Sequence, residues 1–426
     1  MQTYTIGIYS LNETKHLDIS IDVDGLDMNQ FAIVTDLKAI LTGNPLTPEG
    51  SIIIAQVEDS HETNLSKLVA AYKDAGIPQI NALPSLFLKT IGKGNFYAIT
   101  LNKELNLVET IALVNQIDVL QNGGSYEDMM KSYGELYKDL LSHYELHGND
   151  GAKKIEIGPK DKDKRICRYC HKDSTETTFK EVAHTISEGF GNKGIITNDE
   201  CDVCNSYFGR EVEPALMEYL DFFRVWIGVQ GKKGQIHHKY GGNYEFERLA
   251  NNSYKLDITL TDEEMAALKP GAPENVKLRS QQEVELQNIY RSLVKYALGV
   301  LQPEYMSPFD KTVEWLLRKR EVEKLPLVRM EIALESVDQP KVIVMLRKSD
   351  DESLPYAVSE IQMMNIRFLL IIPLCDERDH AFLGNDYWER FVSVFKMYKV
   401  ITWQLQDFSD KRKRQLVMNV GFEKRD

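Results

Sequence analysis

The chain has 426 residues, with 51 Lys and Arg against 64 Asp and Glu, for a net charge of −13. Hydrophobic residues are 43% of the chain and charged residues 27%, which excludes collagen-like and wholly disordered sequences. The acidic balance also excludes a protein that binds nucleic acid along its whole surface, although it leaves room for a local basic site.

At roughly 100–200 residues per domain, this length suits two to four domains. The N-terminus shows no basic stretch followed by an apolar run and a small-residue cleavage site, so no secretory signal is expected. Alternation over residues 4–9 and 17–23 and the apolar run 51–57 predict strands; the spacing over 64–75 and 126–145 predicts helices. Residues 1–148 are thus expected to form a mixed α/β domain, with a sensing or regulatory role. Gly148-Asn149-Asp150-Gly151 and the charge run 160–165 predict a linker over 149–165. A short cysteine-rich module follows, with an anchoring helix from Pro214, over 166–230. Residues 231–426 are expected to form a C-terminal α/β domain of unreadable role. There, strand 254–260 leads into a short helix capped by Thr261. Helices are predicted over 281–301, 309–321 and 387–398, strands over 367–374 and 400–405, and a hairpin between 328–334 and 342–346. The longest apolar run, 368–375, is far short of the roughly 20 residues a membrane helix needs. A cytoplasmic protein without membrane association is expected.

Four of the five cysteines, Cys167, Cys170, Cys201 and Cys204, form two CxxC pairs with 30 residues between them. In a reducing compartment disulfides are rare. Two such pairs instead suit one structural Zn²⁺ held by four thiolates at about 2.3 Å. His171, directly after Cys170, reads as a surface residue, and Cys375 as an ordinary buried thiol. Gly189-Phe190-Gly191-Asn192-Lys193-Gly194 matches the dinucleotide-binding pattern, but a cysteine pair arrives too soon for the crossover helix. It is expected to be a turn. Asp22-Val23-Asp24-Gly25 is expected to be a β-turn rather than a calcium loop.

Between the pairs lie Val182-Ala183-His184-Thr185-Ile186 and the glycine-rich turn, and Asn205 follows the second pair at once. In this combination the chain resembles the HNH endonucleases, in the variant whose ββα-metal fold carries a four-cysteine zinc. The resemblance covers about 50 residues. It implies a zinc-stapled ββα-metal module, and with the flanking patterns read above the expected fold is a mixed α/β (α+β) multidomain protein with that module between two larger α/β domains. It implies that His184 is the general base and Asn205 a ligand of a catalytic Mg²⁺ or Mn²⁺. Family members carry an acid directly before the base; here that residue is Ala183. Glu181, Glu188 and Glu213 are the candidate replacements. On a regular strand Glu181 would share a face with Ala183, away from His184. Asn198 is the nearest candidate for the middle asparagine of the motif.

From 150 to 172, eight Lys or Arg stand against four Asp or Glu, a basic island suited to phosphates. Lys164, Arg165, Arg168, Lys180 and Lys193 are the candidate nucleic-acid contacts. The expected function is metal-dependent cleavage of phosphodiester bonds in DNA, with RNA as another substrate, in a restriction or phage-defence effector acting as an oligomer or with a regulatory partner. The alternative is a non-catalytic zinc module in a nucleic-acid- or protein-binding factor.

Overall fold

The computed structural model describes residues 2–11, 14–21, 28–73, 78–103, 105, 107–125, 127, 137–149, 154–231, 234–249, 253–267 and 275–421. The chain divides into two units, 1–140 and 141–426. The Asp22–Gly25 turn and much of the predicted helix 126–145, including Met129, Met130 and Tyr133, lie outside the described residues.

In the first unit, strands Gln2–Tyr9, Thr14–Ile21, Ile52–Gln56 and Phe96–Leu101 form one antiparallel sheet. The alternation of Tyr4, Ile6 and Ile8 turns those side chains into the core, which helices Met28–Thr42 and Asp59–Ala71 cover.

In the second unit, one core runs without a break from the cysteine knuckles to a long antiparallel sheet. It includes Cys167, Cys201, Phe208, Leu293, Tyr296 and Phe368. The cysteine module and the C-terminal residues are therefore packed as one unit here, not as successive domains. The expected linker is also built into this unit. Strand Tyr144–Asn149, where the sequence predicted the end of a helix, pairs with residues 342–347. Gly148 permits that pairing, since a Cβ there would meet the Val342 carbonyl oxygen at 2.0 Å. Ile155–Ile157 pairs in parallel with Ile195–Thr197.

The expected hairpin between 328–334 and 342–346 does not form. Both runs belong to a single strand, Val328–Arg347, which pairs with Ala357–Ile371. The polar stretch between them is absorbed by register shifts between Ile332 and Lys341, a bulge rather than a turn. Helix Asp262–Ala267 starts as expected, with Thr261 and Glu264 exchanging cap hydrogen bonds. Among the described residues, no helix is long and apolar enough to cross a membrane.

Helix Leu286–Gly299 is buried at all its positions. It begins later than the spacing predicted, because residues 281–285 end strand Asn275–Glu285. One face of it, at Asn288, Ser292, Lys295 and Gly299, follows helical spacing and is turned to the cysteine module. Asn288 donates to the Glu211 carbonyl at 2.9 Å and Ser292 to the Val212 carbonyl at 3.2 Å. At Gly299 the contact is too close for a side chain, since a Cβ would lie 2.4 Å from Thr185 Cγ2. Gly299→Ala should therefore overpack this seam and lower stability by about 1–3 kcal/mol, read as a lower denaturation midpoint. An unchanged midpoint would show that the seam yields freely.

Candidate functional site

Each cysteine pair sits in a tight local turn. Around the first, Cys167 N–H donates to the Lys172 carbonyl and His171 N–H to the Cys167 carbonyl, both at 2.8 Å. His171 takes a left-handed conformation, φ 60°, so it is the turn residue and lies exposed, as expected. Cys201 caps helix Asp202–Tyr207, with Asn205 N–H donating to its carbonyl at 2.9 Å. The Cys201 amide also lies 3.5 Å from Cys167 Sγ.

The four sulfurs lie within 4.8 Å of one another, and Cys170 and Cys201 Sγ are 3.7 Å apart. Four sulfurs around one zinc would be spaced about 3.8 Å apart, so the set fits Zn²⁺. Sulfur–sulfur hydrogen bonds pull the Cys201 thiol below its ordinary range while pushing Cys167 above it. Such crowding opposes four thiolates unless a cation lies among them. Cys375 is buried away from this cluster, as expected, and burial raises its pKa.

The peptide leading to His184 is fastened by Asp202. Its carboxylate accepts from the Lys180 amide at 3.0 and 3.1 Å, the Glu181 amide at 2.9 Å and the Thr178 hydroxyl. Antiparallel pairing begins only at Ala183: Thr197 N–H donates to the Ala183 carbonyl at 2.9 Å, and Thr185 N–H to the Ile195 carbonyl at 3.1 Å. His184 bridges to Ile196 between them. The glycine-rich segment is a turn, as expected, and Asn192 closes it. Its Nδ2 donates to the Ile186 and Ile195 carbonyls at 2.8 and 3.1 Å, and its Oδ1 accepts from the Gly194 and Ile195 amides at 3.1 and 2.9 Å. Two paired segments followed by helix Asp202–Tyr207 give the ββα arrangement.

His184 Nε2 is 2.8 Å from Glu188 Oε1, with both side chains half-buried. His184, Glu188, Asn205, Glu213 and Arg224 line one cavity of 570 Å³. Asn205 Nδ2 donates to Glu181 Oε2 at 3.3 Å, so Glu181 reaches the Asn205 side despite its place in the sequence. The strand alternation used for Glu181 does not apply, because the chain bends at that residue.

Glu213 is engaged elsewhere. Its Oε1 lies 3.1 Å from the ammonium of Lys295, which also faces Glu200 Oε2 at 3.5 Å and donates to the His184 and Thr185 carbonyls at 3.1 Å each. Burial opposes the Lys295 charge, but Glu200 and Glu213 outweigh it and raise its pKa. Burial pushes the Glu200 carboxyl up to about 7, against the pull of Lys295.

Several expected residues are placed differently. Asn198 faces the other side of strand Ile195–Thr197, with its amide 3.5 Å from the Gly158 carbonyl and its Oδ1 3.4 Å from Arg165. Asn192, not Asn198, closes the turn between the paired segments. Arg165 and Arg168, expected as nucleic-acid contacts, are both buried. Arg165 donates to the Pro159 and Lys160 carbonyls. Arg168 pairs with Asp199 and donates to the Leu298 and Leu301 carbonyls at 2.7 and 3.0 Å. Lys164, Lys180 and Lys193 are exposed.

Sequence reasoning missed Asp202, Arg224 and Lys295. Arg224 donates to the Gly189 carbonyl at 2.8 Å and so holds the turn beside His184. A signal existed for Lys295, a charge inside the apolar run Leu293-Val294 and Tyr296-Ala297-Leu298. Among the described residues, the four cysteines are the one group of three or more His, Cys, Asp or Glu with ligand atoms within 4.8 Å.

Residues 167–220 match the family model of the HNH endonucleases. No curated protein and no solved structure matches the chain. The match supports a nuclease-type activity and ends well before helix Leu286–Gly299. Metal analysis of the purified chain should find about one tightly held zinc. Cys201→Ser should lose it and melt at a lower temperature; retention of zinc and melting temperature by that variant would rule out the four-sulfur site.

Proposed function

We propose that this chain is a metal-dependent endonuclease that hydrolyses phosphodiester bonds in DNA. The observation that carries the proposal is the placement of His184. It lies on the paired segment between two cysteine knuckles, is fastened by Glu188, and faces a cavity shared with Asn205.

The chemistry follows from these groups. Hydrolysis needs an acceptor for the proton of the attacking water. We assign that role to the His184 imidazole, which lines the cavity with the Glu188 carboxylate against its Nε2 and its Nδ1 turned into the protein. Asn205 gives its Nδ2 to Glu181, which leaves Oδ1 as a hard oxygen donor beside the Glu181 carboxylate. These two oxygens suit Mg²⁺ or Mn²⁺, which keeps several waters and needs few protein ligands. A cation held by Asn205 and Glu181 would supply charge neutralisation at the phosphate and the leaving 3′-oxygen. Arg224, paired with Asp221, holds the Gly189 turn at the cavity wall, and the exposed Lys180 and Lys193 provide screened attraction for the backbone. A restriction or phage-defence setting in the cytoplasm, with residues 1–140 sensing a target or partner, completes the reading.

One observation favours a non-catalytic zinc module instead: Ala183, buried, stands where the family carries an acid. Plasmid incubated with Mg²⁺ or Mn²⁺ separates the two. The wild type should cleave, His184→Ala should be slower by about 10²–10⁴-fold, and Asn205→Ala should lose metal-dependent activity. Equal rates for wild type and His184→Ala would leave the binding-module reading. The same assay on RNA decides the nucleic acid.

A further inference from the structure

We infer that Lys295, on the helix Leu286–Gly299, is a positioning residue of the phosphodiester-cleaving site: its ammonium fixes the backbone that presents His184 and the carboxylate of Glu213 at the cavity wall. The inference rests on the nuclease reading above and extends it to a residue outside the matched segment.

The geometry is specific. An ammonium has three protons, and Lys295 Nζ has oxygens on several sides. It donates to the carbonyls of His184 and Thr185 at 3.1 Å each and lies 3.1 Å from Glu213 Oε1 and 3.5 Å from Glu200 Oε2. Its side chain is 1% exposed. The two carbonyls belong to the candidate base and its neighbour. They lie where pairing with Ile195–Thr197 supplies only the hydrogen bonds of Ala183 and Thr185. Local sheet structure is short here, so the lysine adds the restraint that a longer strand would give.

The same helix closes the arrangement at two further points. Thr197 Oγ1 donates to the Gly299 carbonyl at 3.3 Å and shares a 2.6 Å hydrogen bond with Thr185 Oγ1. Ser187 N–H reaches the Tyr296 hydroxyl at 3.5 Å. The segment 184–187 is thus held from beneath by residues 295, 296 and 299 of one buried helix. A neutral side chain at 295 could fill the volume but would leave both carbonyls without this donor. Small displacements of a catalytic group, on the order of 1 Å, lower rates by about 10²-fold.

The test uses the full chain with three substitutions: Lys295→Met, Lys295→Arg, and the double variant Lys295→Met/Glu200→Gln, which avoids leaving the Glu200 carboxylate buried alone. Each is measured for zinc content, melting, affinity for uncleaved DNA in Ca²⁺, single-turnover cleavage in Mg²⁺, and the NMR signals of the His184 ring. Positioning predicts that a folded Met variant keeps its zinc and binds DNA within about twofold of wild type. It also predicts cleavage slower by about 10²-fold, displaced His184 ring signals, and partial rescue of the rate by arginine. A folded Met variant with wild-type rate and unmoved His184 signals overturns the assignment. So does failure of both Met variants to fold, which would make Lys295 a folding residue. If the wild type cleaves neither DNA nor RNA, the nuclease reading fails by itself. The His184 signals then still judge the link between Lys295 and that ring: displaced signals support it, and unmoved signals end it.

Discussion

A buried ammonium must be surrounded by oxygen, and in this molecule that requirement falls at Lys295. Moving an unpaired charge out of water costs several kcal/mol even after relaxation. The chain meets that cost with two carbonyls and two carboxylates drawn from three separate stretches, at residues 184–185, 200 and 213. Each stretch belongs to a different part of the cysteine module: the paired segment, the approach to the second knuckle, and the start of helix Glu213–Ile227. One side chain therefore fixes three elements relative to one another. The seam around it can be tight because Gly299 has no side chain to keep Thr185 away.

The sulfur cluster and this seam work at different ranges. The cysteines join two turns that are close in space, and their restraint ends within a residue or two of each knuckle. Asp202 carries it one step further by gripping residues 178–181. Beyond that the paired segment is very short, with a single bridge at His184. A histidine so held would swing with its peptide were nothing beneath it. The core therefore continues without a break from the knuckles into Leu293, Tyr296 and the long sheet. The length of 141–426 as one unit has the same cause, since a module of some fifty residues buries little core of its own.

Much of this was legible in the sequence, and what was not has identifiable causes. The CxxC spacing, His184 and Asn205 are local patterns, and the structure brings them together around one cavity and one knuckle pair. Strands with clear alternation, such as residues 4–9, were readable for the same reason. Long-range facts were not. A count of charges along 150–172 cannot tell a solvated lysine from a buried arginine, and Arg168 spends its guanidinium on Asp199 and the Leu298 and Leu301 carbonyls, at and just past a helix end more than a hundred residues away. Two apolar runs separated by polar residues suggest a hairpin, yet residues 328–347 continue as one bulged strand because a single partner, Ala357–Ile371, spans both. Gly148 reads as a linker from composition and proves to be a place where two strands come too close for a Cβ.

The missing acid before His184 is the departure on which the chemistry turns. Alternation along a strand would put Glu181 on the face of Ala183, and that argument holds only where the backbone is extended and paired. Pairing starts at Ala183, and the chain bends at Glu181 under the grip of Asp202. The carboxylate is thereby carried to the Asn205 amide. A buried acid at position 183 would have had to stay charged in an apolar setting, next to the carbonyls that Lys295 already uses. An exposed acid two residues earlier keeps its charge in water at little cost and still comes within reach of the helix's first turns. On the nuclease reading, the oxygen donor would thus sit on Glu181, at the bend before the strand. That placement depends on the short pairing at His184 and on the grip of Asp202, the residue after Cys201.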